Sequence, residues 1–527
     1  MQYIIGIDIG TTNTKAVAFT DQGEVLGSAG SGYAVFADAS GRHELDPERL
    51  LEAVVSALAD VRGQVGDGRG PAGAGGGPAR ESGAGFAGGG DGLAGISFSC
   101  AFHSLIAVDE GGVPLTRAMT WADLRPSPQA RGLKGSEAGS RIYRHTGVPI
   151  HAMSPLCKLL WLKDNDPGTF RRAARFISIK EYIWWRLFGK YQVDHSIASA
   201  TGLLETRRLD WYPESLALAG ILPGQLSVPV ACTHIEKALL PEARVLLEGA
   251  RAAGGGGGML LPEGLPFIIG GGDGSMANLG SGAVLPGETA LTIGTSGAIR
   301  MTTAAPEDDP QERVFNYILG GSYYICGGAT NNGGNVLQWY IERVLGVKEG
   351  DKEEFNRRIA EADAVAPGCE GLVFLPYLQG ERAPVWDADA KGVFFGVRSV
   401  HEQRHFIRAI LEGVCYSLYQ IGASMEETTG PIKHIYASGG WTRSATWLQL
   451  MADVFRKKIH ITGIADASAI GAAIMGSYAV GMIAELDAAA SLVRVVRTYE
   501  PDEARHAVYQ ANYKIFSQLY GRLKDLM

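Results

Sequence analysis

Tyr3-Ile4-Ile5-Gly6-Ile7-Asp8-Ile9-Gly10-Thr11-Thr12-Asn13-Thr14-Lys15 opens the chain, and how this stretch is read decides the fold. The run to Ile9 is apolar and rich in β-branched residues, which predicts a strand. Gly10-Thr11-Thr12 predicts a tight turn, and Ala16-Val17-Ala18-Phe19 a second strand. The turn carries two hydroxyls and, beside Gly10, unhindered backbone N–H groups, which suit phosphate oxygens. The lone carboxylate of Asp8 suits a hydrated Mg2+. The same pattern returns at Thr289-Ala290-Leu291-Thr292-Ile293-Gly294-Thr295-Ser296-Gly297-Ala298-Ile299, as apolar strand, Gly-Thr-Ser turn and apolar strand. Either hairpin alone could be a plain β-turn. One per half of the chain, with an acidic residue before the first, predicts a duplicated fold that grips one polyphosphate from both sides.

Rival phosphate motifs are missing. Gly189-Lys190 is followed by Tyr191, so there is no P-loop, and Gly6-Ile7-Asp8-Ile9-Gly10-Thr11 does not fit a dinucleotide fingerprint. With 527 residues, 46% hydrophobic and 20% charged, the chain has the composition of a globular enzyme of two or more domains. A net charge of −8 without a sustained basic run argues against a nucleic-acid partner. The six cysteines (Cys100, Cys157, Cys232, Cys326, Cys369, Cys415) lack Cys-x-x-Cys spacing, as expected of free thiols in a reducing compartment. Asp8 interrupts the N-terminal apolar run, no basic region precedes it, and no apolar run is long enough for a bilayer. The expectation is a cytoplasmic protein without a membrane partner.

A third antiparallel strand is expected at 24–28. A helix follows, with Asp46 as N-cap, Pro47 at the first helical position and Leu50, Leu51, Val54, Val55 and Leu58 behind, fading near Val61. The Gly-rich stretch 62–95 cannot bury enough to offset its ordering entropy, so it is expected to be a flexible surface insertion, and 254–258 likewise. Gly95-Ile96-Ser97-Phe98-Ser99 predicts a buried strand leading to Phe102-His103-Ser104. Helices are expected over 155–165 and 179–188. Strand-then-glycine returns at Pro266-Phe267-Ile268-Ile269-Gly270-Gly271-Gly272-Asp273-Gly274, and a domain boundary is placed near Ser281, giving domains 1–281 and 282–527. The second half reads as a hairpin (288–302), a strand (322–327), helices (335–344, 402–421), a strand (432–437) ending in Gly439-Gly440-Trp441, and helices at 445–455, 468–480 and 503–523. Strand triplets interleaved with helices in both halves indicate an α/β fold.

Asp273, bracketed by glycines at a strand end, can approach a ligand and accept its proton, or it caps a turn. His103 hydrogen-bonds a polyol or is a satisfied core histidine. Trp121, Asp123 and Arg125 offer an apolar wall with charged arms, or a solvated turn around a packed Trp. Arg125 matters because guanidinium pairs bidentately with carboxylate. Gly439-Gly440-Trp441 admits a flat ring or is a plain strand-to-helix turn. His401-Glu402-Gln403-Arg404-His405 spells a zinc motif. A metallopeptidase needs it in mid-helix with a third ligand downstream, whereas here Ser399 and Glu402 are placed to open a helix as a capping box.

Met153-Ser154-Pro155-Leu156-Cys157-Lys158-Leu159-Leu160-Trp161-Leu162-Lys163-Asp164-Asn165 resembles the first signature of the FGGY carbohydrate kinases. Gly392-Val393-Phe394-Phe395-Gly396-Val397 with His405-Phe406-Ile407-Arg408-Ala409-Ile410-Leu411-Glu412 resembles the second, and accounts for the zinc-like spelling. The likeness covers nearly the whole chain except the Gly-rich insertions. It implies two ribonuclease H-like (actin-like ATPase) domains with ATP and sugar in the cleft between them. Within the family the chain is most similar to gluconokinases, on Ser97-Phe98-Ser99-Cys100-Ala101-Phe102-His103-Ser104, Thr120-Trp121-Ala122-Asp123, Gly294-Thr295-Ser296-Gly297-Ala298-Ile299-Arg300 and Gly380-Glu381-Arg382-Ala383-Pro384, among others. Phe102 stands where many gluconokinases have Met.

Carried over position by position, the resemblance implies that Asp273 is the catalytic base and that Asp8 sits near Mg2+. Thr11, Thr12, Asn13, Gly294 and Thr295 would contact phosphates. Gly334, Gln338, Gly440 and Ser444 would line the nucleotide site, although the family often has Asn at the last position. Phe102, His103, Trp121 and Arg125 would face the sugar. The implied activity is ATP-dependent phosphorylation of D-gluconate at its terminal hydroxyl, giving 6-phosphogluconate. Gluconate is an anion, so a cation is expected in its pocket, with Arg125, Lys158 and His151 as candidates. The alternatives are another FGGY activity on xylulose or ribulose, an actin-like ATP-binding assembly protein, or a sugar-binding sensor without catalysis. The oligomeric state is left open, a homodimer among the options.

Overall fold

The computed structural model describes residues 1–66, 92–250 and 260–527. Both Gly-rich insertions fall largely at 67–91 and 251–259, outside the described residues. The flanks of the first belong to regular structure. The first helix runs past Val61 to Gly66, and the following strand already begins at Leu93.

β1 (Tyr3–Ile9), β2 (Asn13–Thr20) and β3 (Val25–Gly32) form an antiparallel meander that sets Asp8 opposite Lys15. Tyr3, Ile4, Ile5, Ile7 and Ile9 are all buried, because β1 is central and covered on both faces; hence its unbroken apolar run rather than an alternation. α1 (Pro47–Gly66) starts as the sequence predicts, with Asp46 Oδ1 accepting the Glu48 N–H at 3.0 Å and Leu50, Leu51, Val54 and Leu58 on the buried face. β4 (Leu93–Cys100) lies parallel to β1. After α2 (Pro155–Asn165), α3 (Ile179–Phe188) and β5 (Ile235–Glu236), β6 (Phe267–Gly272) lies parallel to β4. The six-stranded order is β5-β6-β4-β1-β2-β3. α4 (Asp273–Gly280) leaves the end of β6.

The second sheet repeats this plan. β7 (Glu288–Ile293), β8 (Gly297–Thr303) and β10 (Tyr323–Thr330) are the antiparallel meander, with β9 (Phe315–Gly320) added outside β10. α5 (Gly334–Trp339) and the long α6 (Gln403–Thr429) precede β11 (His434–Ser438), which lies parallel to β7. α7 (Ala445–Phe455) connects to β12 (Ile459–Thr462), parallel to β11. α8 (Ala467–Ala479), β13 (Val495–Tyr499) and α9 (Glu503–Leu523) complete the half. Sheet order is β9-β10-β8-β7-β11-β12-β13. The blocks β3-β2-β1-β4-β6 and β10-β8-β7-β11-β12 match in order and in strand direction, which makes the duplication explicit. β9, β12 and β13 went unseen in the sequence. β13 exposes its first four residues, so it lacks the apolar alternation that marks a strand.

The two halves are joined where α4 meets α8. A Cβ on Gly280 would lie 1.9 Å from the Ala467 carbonyl oxygen, and one on Gly471 would lie 1.8 Å from that of Met276. A Cβ on Gly6, in β1, would lie 1.9 Å from the Ala469 oxygen. The backbones touch only because these positions carry no side chain, and α8, from the second half, thereby packs on the first sheet.

α6 corrects one expectation. Its N-cap is Glu402, not Ser399. The Nδ1 of His405 accepts the Glu402 N–H at 2.9 Å, and the Nδ1 of His401 accepts the Arg398 N–H at 2.9 Å. Both rings of the zinc-like spelling thus serve the turn that opens the helix.

Candidate active site

Asp273 is the first residue of α4, and its Oδ1 accepts the Gly274 N–H at 2.7 Å. The flanking glycines have a specific reason. A Cβ on Gly272 would come within 2.0 Å of the Phe102 ring, and one on Gly274 within 2.6 Å of Arg300 Nε. Their absence lets Phe102, from the loop after β4, and Arg300, from β8, close on Asp273. Around them lies a cavity of about 260 Å³, which Thr11, Phe102, His103, Trp121 and Asp273 line from the first half. Ser296, Arg300, Tyr317 and Arg382 line it from the second.

His103 adopts a left-handed backbone conformation, φ 66°. Its Nδ1–H donates to the Ala200 carbonyl at 2.8 Å, and the Tyr317 hydroxyl lies 3.4 Å from Nε2. Burial pushes its pKa down to about 3, so the ring is neutral. The His103 carbonyl accepts from Lys158 Nζ, which also donates to the Met153 carbonyl at 2.9 Å. Lys158 is fully buried, and burial pushes its pKa down to about 7.

Arg125, expected to face the sugar, does not line this cavity. Its Nε lies 2.9 Å from Asp123 Oδ1 and its Nη2 2.6 Å from Asp123 Oδ2 and 2.5 Å from Glu44, while the guanidinium stacks 4.6 Å over the Trp161 ring. Two carboxylates already answer its charge. His151 lies beside Trp386 in a smaller adjoining cavity, and burial pushes it down to about 3, so it too is neutral. The guanidiniums that do line the cavity are Arg300 and Arg382. Both lie inside stretches quoted above, but nothing local in the sequence marks either one as facing a ligand.

Asp8, at the end of β1, accepts from Ser99 Oγ at 2.8 Å. Burial, and then the charge of Asp273, push its pKa up to about 7. Enclosure also raises Asp273, opposed by the Arg300 charge. Lys15, which opposes the shift at Asp8, is ion-paired with Asp466 at 2.5 Å across the seam. In the turn between β1 and β2, Thr11 reaches the cavity, Thr12 is exposed and Asn13 is half-buried, its carbonyl accepting the Gly10 N–H at 3.0 Å.

A second cavity, of about 730 Å³, lies wholly in the second half and is lined by Gly294, Thr295, Gly334, Gln338, Gly440 and Ser444. The N-terminus of α5 is pinned to the Gly-Thr-Ser turn, Gly334 N–H donating to the Gly294 carbonyl at 2.8 Å and Gly333 N–H to that of Thr295 at 3.2 Å. Ser444 Oγ accepts the Trp447 N–H at 3.3 Å, capping α7. Thr295 faces this cavity and its neighbour Ser296 the other, so one turn stands between them.

Models of the FGGY family of carbohydrate kinases match the chain in succession, the N-terminal domain over residues 3–280 and the C-terminal domain over 289–480. The chain belongs to this family. FGGY kinases are ATP-dependent and have the two-domain, actin-like fold seen here. A gluconokinase of Bacillus subtilis (strain 168) is 38% identical, the match covering 99% of this chain and 96% of that protein. Among solved structures, a gluconate kinase from Lactobacillus acidophilus superposes with a TM-score of 0.87 at 30% identity, over 99% of this chain and 98% of that one. A ligand-bound xylulose kinase from the same organism gives the same TM-score and identity, over 99% of each chain. Among the described residues no helix is long and apolar enough to cross a membrane.

Proposed function

We propose that this FGGY kinase transfers the γ-phosphoryl group of ATP to the terminal hydroxyl of D-gluconate, giving 6-phosphogluconate, with Asp273 as general base. The observation that supports the reading is that Asp273, Thr11 and Ser296 from the two Gly-Thr turns, and two guanidiniums line one cavity, with Asp8 close enough to feel the Asp273 charge and Thr295 opening on the neighbouring cavity. The 38% identity to a gluconokinase supports the choice of acceptor. In this reading residues 1–281 form the sugar-side lobe and 282–527 the nucleotide-side lobe.

The Thr11-Thr12-Asn13 turn and the Gly294-Thr295 turn hold the phosphates, and Gly334, Gln338, Gly440 and Ser444 receive the nucleoside. Phe102, His103 and Trp121 face the sugar chain, while Arg125 steadies the Trp121–Arg125 loop through Asp123 and Glu44. Asp273 accepts the hydroxyl proton as the oxygen attacks phosphorus. Its enclosure raises its pKa above that of a free carboxylate and so makes it a stronger base, while the Arg300 charge beside it opposes the shift. Mg2+ fits here, because the charge of Asp273 adds to burial in raising the pKa of Asp8, and a cation would offset it. Among the described residues no group of three or more acidic, His or Cys side chains could cage an ion. That suits a metal which takes one or two carboxylates together with substrate phosphates. Asp8 would hold it, and when bound it neutralises phosphate charge. Closure of the lobes excludes water from the site, limiting wasteful hydrolysis of ATP.

The xylulose kinase likeness, equal in TM-score, makes the acceptor the point to test. ADP release is measured with D-gluconate, D-xylulose, D-ribulose and L-ribulose in turn. Gluconate is expected to give the highest kcat/KM, and a higher value for any ketose overturns the assignment.

A further inference from the structure

We propose that Arg300 and Arg382 together form a carboxylate subsite, which makes the enzyme select an aldonate over the neutral polyol of the same carbon skeleton. This rests on the gluconate reading and names the groups that produce it. Both side chains line the cavity that holds Asp273. The Nη1 of Arg300 and the Nε of Arg382 are shut off from solvent and have no hydrogen-bond partner. Arg382 donates through Nη2 to the Thr330 carbonyl at 3.1 Å and lies 4.6 Å over the Trp121 ring, which fixes its plane against the cavity wall. A buried charged donor left unsatisfied costs free energy, and each guanidinium also lines the cavity, where an acceptor can meet the rest of its fork.

The chemistry of the donors identifies that acceptor. Burial, and in part the charge of Arg300, push Arg382 down to about 10. Against these two cations the cavity lining sets one carboxylate, Asp273, while His103 and the adjoining His151 are neutral. The Glu381 charge supports that of Arg382, but its oxygens make no hydrogen bond to the guanidinium. They accept from Thr330 Oγ1 at 2.6 Å, the Asn331 N–H at 3.0 Å and Asn332 Nδ2 at 3.2 Å. The guanidinium donors that line the cavity are left for an anionic acceptor. The planar, forked donor set of guanidinium matches a carboxylate, and the Arg stacked on Trp121 is already held in one orientation. The γ-phosphate is the competing anion, and the test separates the two.

D-Glucitol differs from D-gluconate only in carrying CH2OH in place of the carboxylate. kcat/KM is measured for both, with KM for ATP, in wild type, Arg300→Gln and Arg382→Gln. Each substitution is expected to lower kcat/KM for gluconate by about 10²-fold or more, the scale for truncating one partner of a buried charge pair. In Arg382→Gln, glucitol turnover and KM for ATP are expected to stay near wild type, so the preference for gluconate collapses; in Arg300→Gln, whose guanidinium also acts on Asp273, turnover of both acceptors is expected to fall, but that of gluconate more. Equal losses on both acceptors or a raised KM for ATP in Arg382→Gln, or an unchanged preference in either variant, would each overturn the subsite. A wild type that does not favour gluconate over glucitol removes the gluconate reading itself; a wild type that favours it, with variants that do too, removes only the subsite. Where Arg→Gln does not fold, Arg300→Lys and Arg382→Lys keep the charge but lose the fork, and a preference left intact in both overturns the proposal.

Discussion

Gly274 is backed so closely by Arg300 that a Cβ at this position would lie 2.6 Å from Nε and 3.0 Å from Cζ of the guanidinium. Gly274→Ala therefore displaces the guanidinium while leaving the helix intact, since alanine is the better helix former. Displacements of about 1 Å at a reacting site cost on the order of 10²-fold in rate. A loss of that order in kcat/KM for the sugar acid, with KM for ATP unchanged and the melting temperature near wild type, is the expected result. Normal kinetics would mean that Arg300 has room to retreat without consequence.

Asp273→Asn keeps the shape and the contact with the Gly274 N–H but removes the base. Turnover is expected to fall by roughly 10²–10⁴-fold, the usual scale for losing a general base, while ATP binding measured by calorimetry persists. Near-normal turnover would refute the assignment of Asp273.

Lys158 supplies a pH test of stability. Its pKa in the folded chain is pushed down to about 7 from an ordinary 10.5. As pH falls below 10.5 the unfolded chain takes up the proton first, so stability is lost on the way down to pH 7 and is level below it. Conversely, stability rises with pH across that window, by up to about 1.4 kcal/mol per pH unit from this group. Lys158→Met lacks this dependence and also the two hydrogen bonds to the His103 and Met153 carbonyls. Urea unfolding at pH 7 and pH 9 should show the wild type gaining on the variant as pH rises; parallel curves would show that Lys158 stays charged when buried.

The seam between the halves depends on glycine. A Cβ at Gly471 would lie 1.8 Å from the Met276 carbonyl oxygen, a backbone atom that cannot turn aside. Gly471→Val should destabilise the protein by about 3 kcal/mol or more, the upper range for overpacking, and lower activity by shifting α4, which carries Asp273. Thermal unfolding with an activity assay checks both. A variant as stable as wild type would mean that the helices part easily.

Much of the fold is visible in short segments of the chain. The two hairpins declare themselves through apolar β-branched runs and Gly-Thr turns, and α1 through Asp46-Pro47 and its apolar spacing. These signals are local, because strand and helix periodicity and turn chemistry reside within a few residues. β13 has no local signal because its exposed edge carries no alternation, and α6 extends past the predicted 421 to Thr429. The N-cap of α6 was misplaced because Ser399 satisfies the capping pattern in sequence, whereas the backbone enters the helix only at Glu402.

By itself the sequence determined that two matching halves carry matching Gly-Thr turns, and that a glycine-flanked Asp273 follows a buried strand. Which charged groups line the cavity around Asp273 was decided only by the tertiary structure. Arg125 lies two residues from Asp123 and folds back onto it, while Arg300 and Arg382, on separate elements of the second half, are brought by the closing of two sheets against Asp273 in the first. A guanidinium takes whichever anion its surroundings put within reach, and that is a property of distances between remote segments rather than of neighbouring letters.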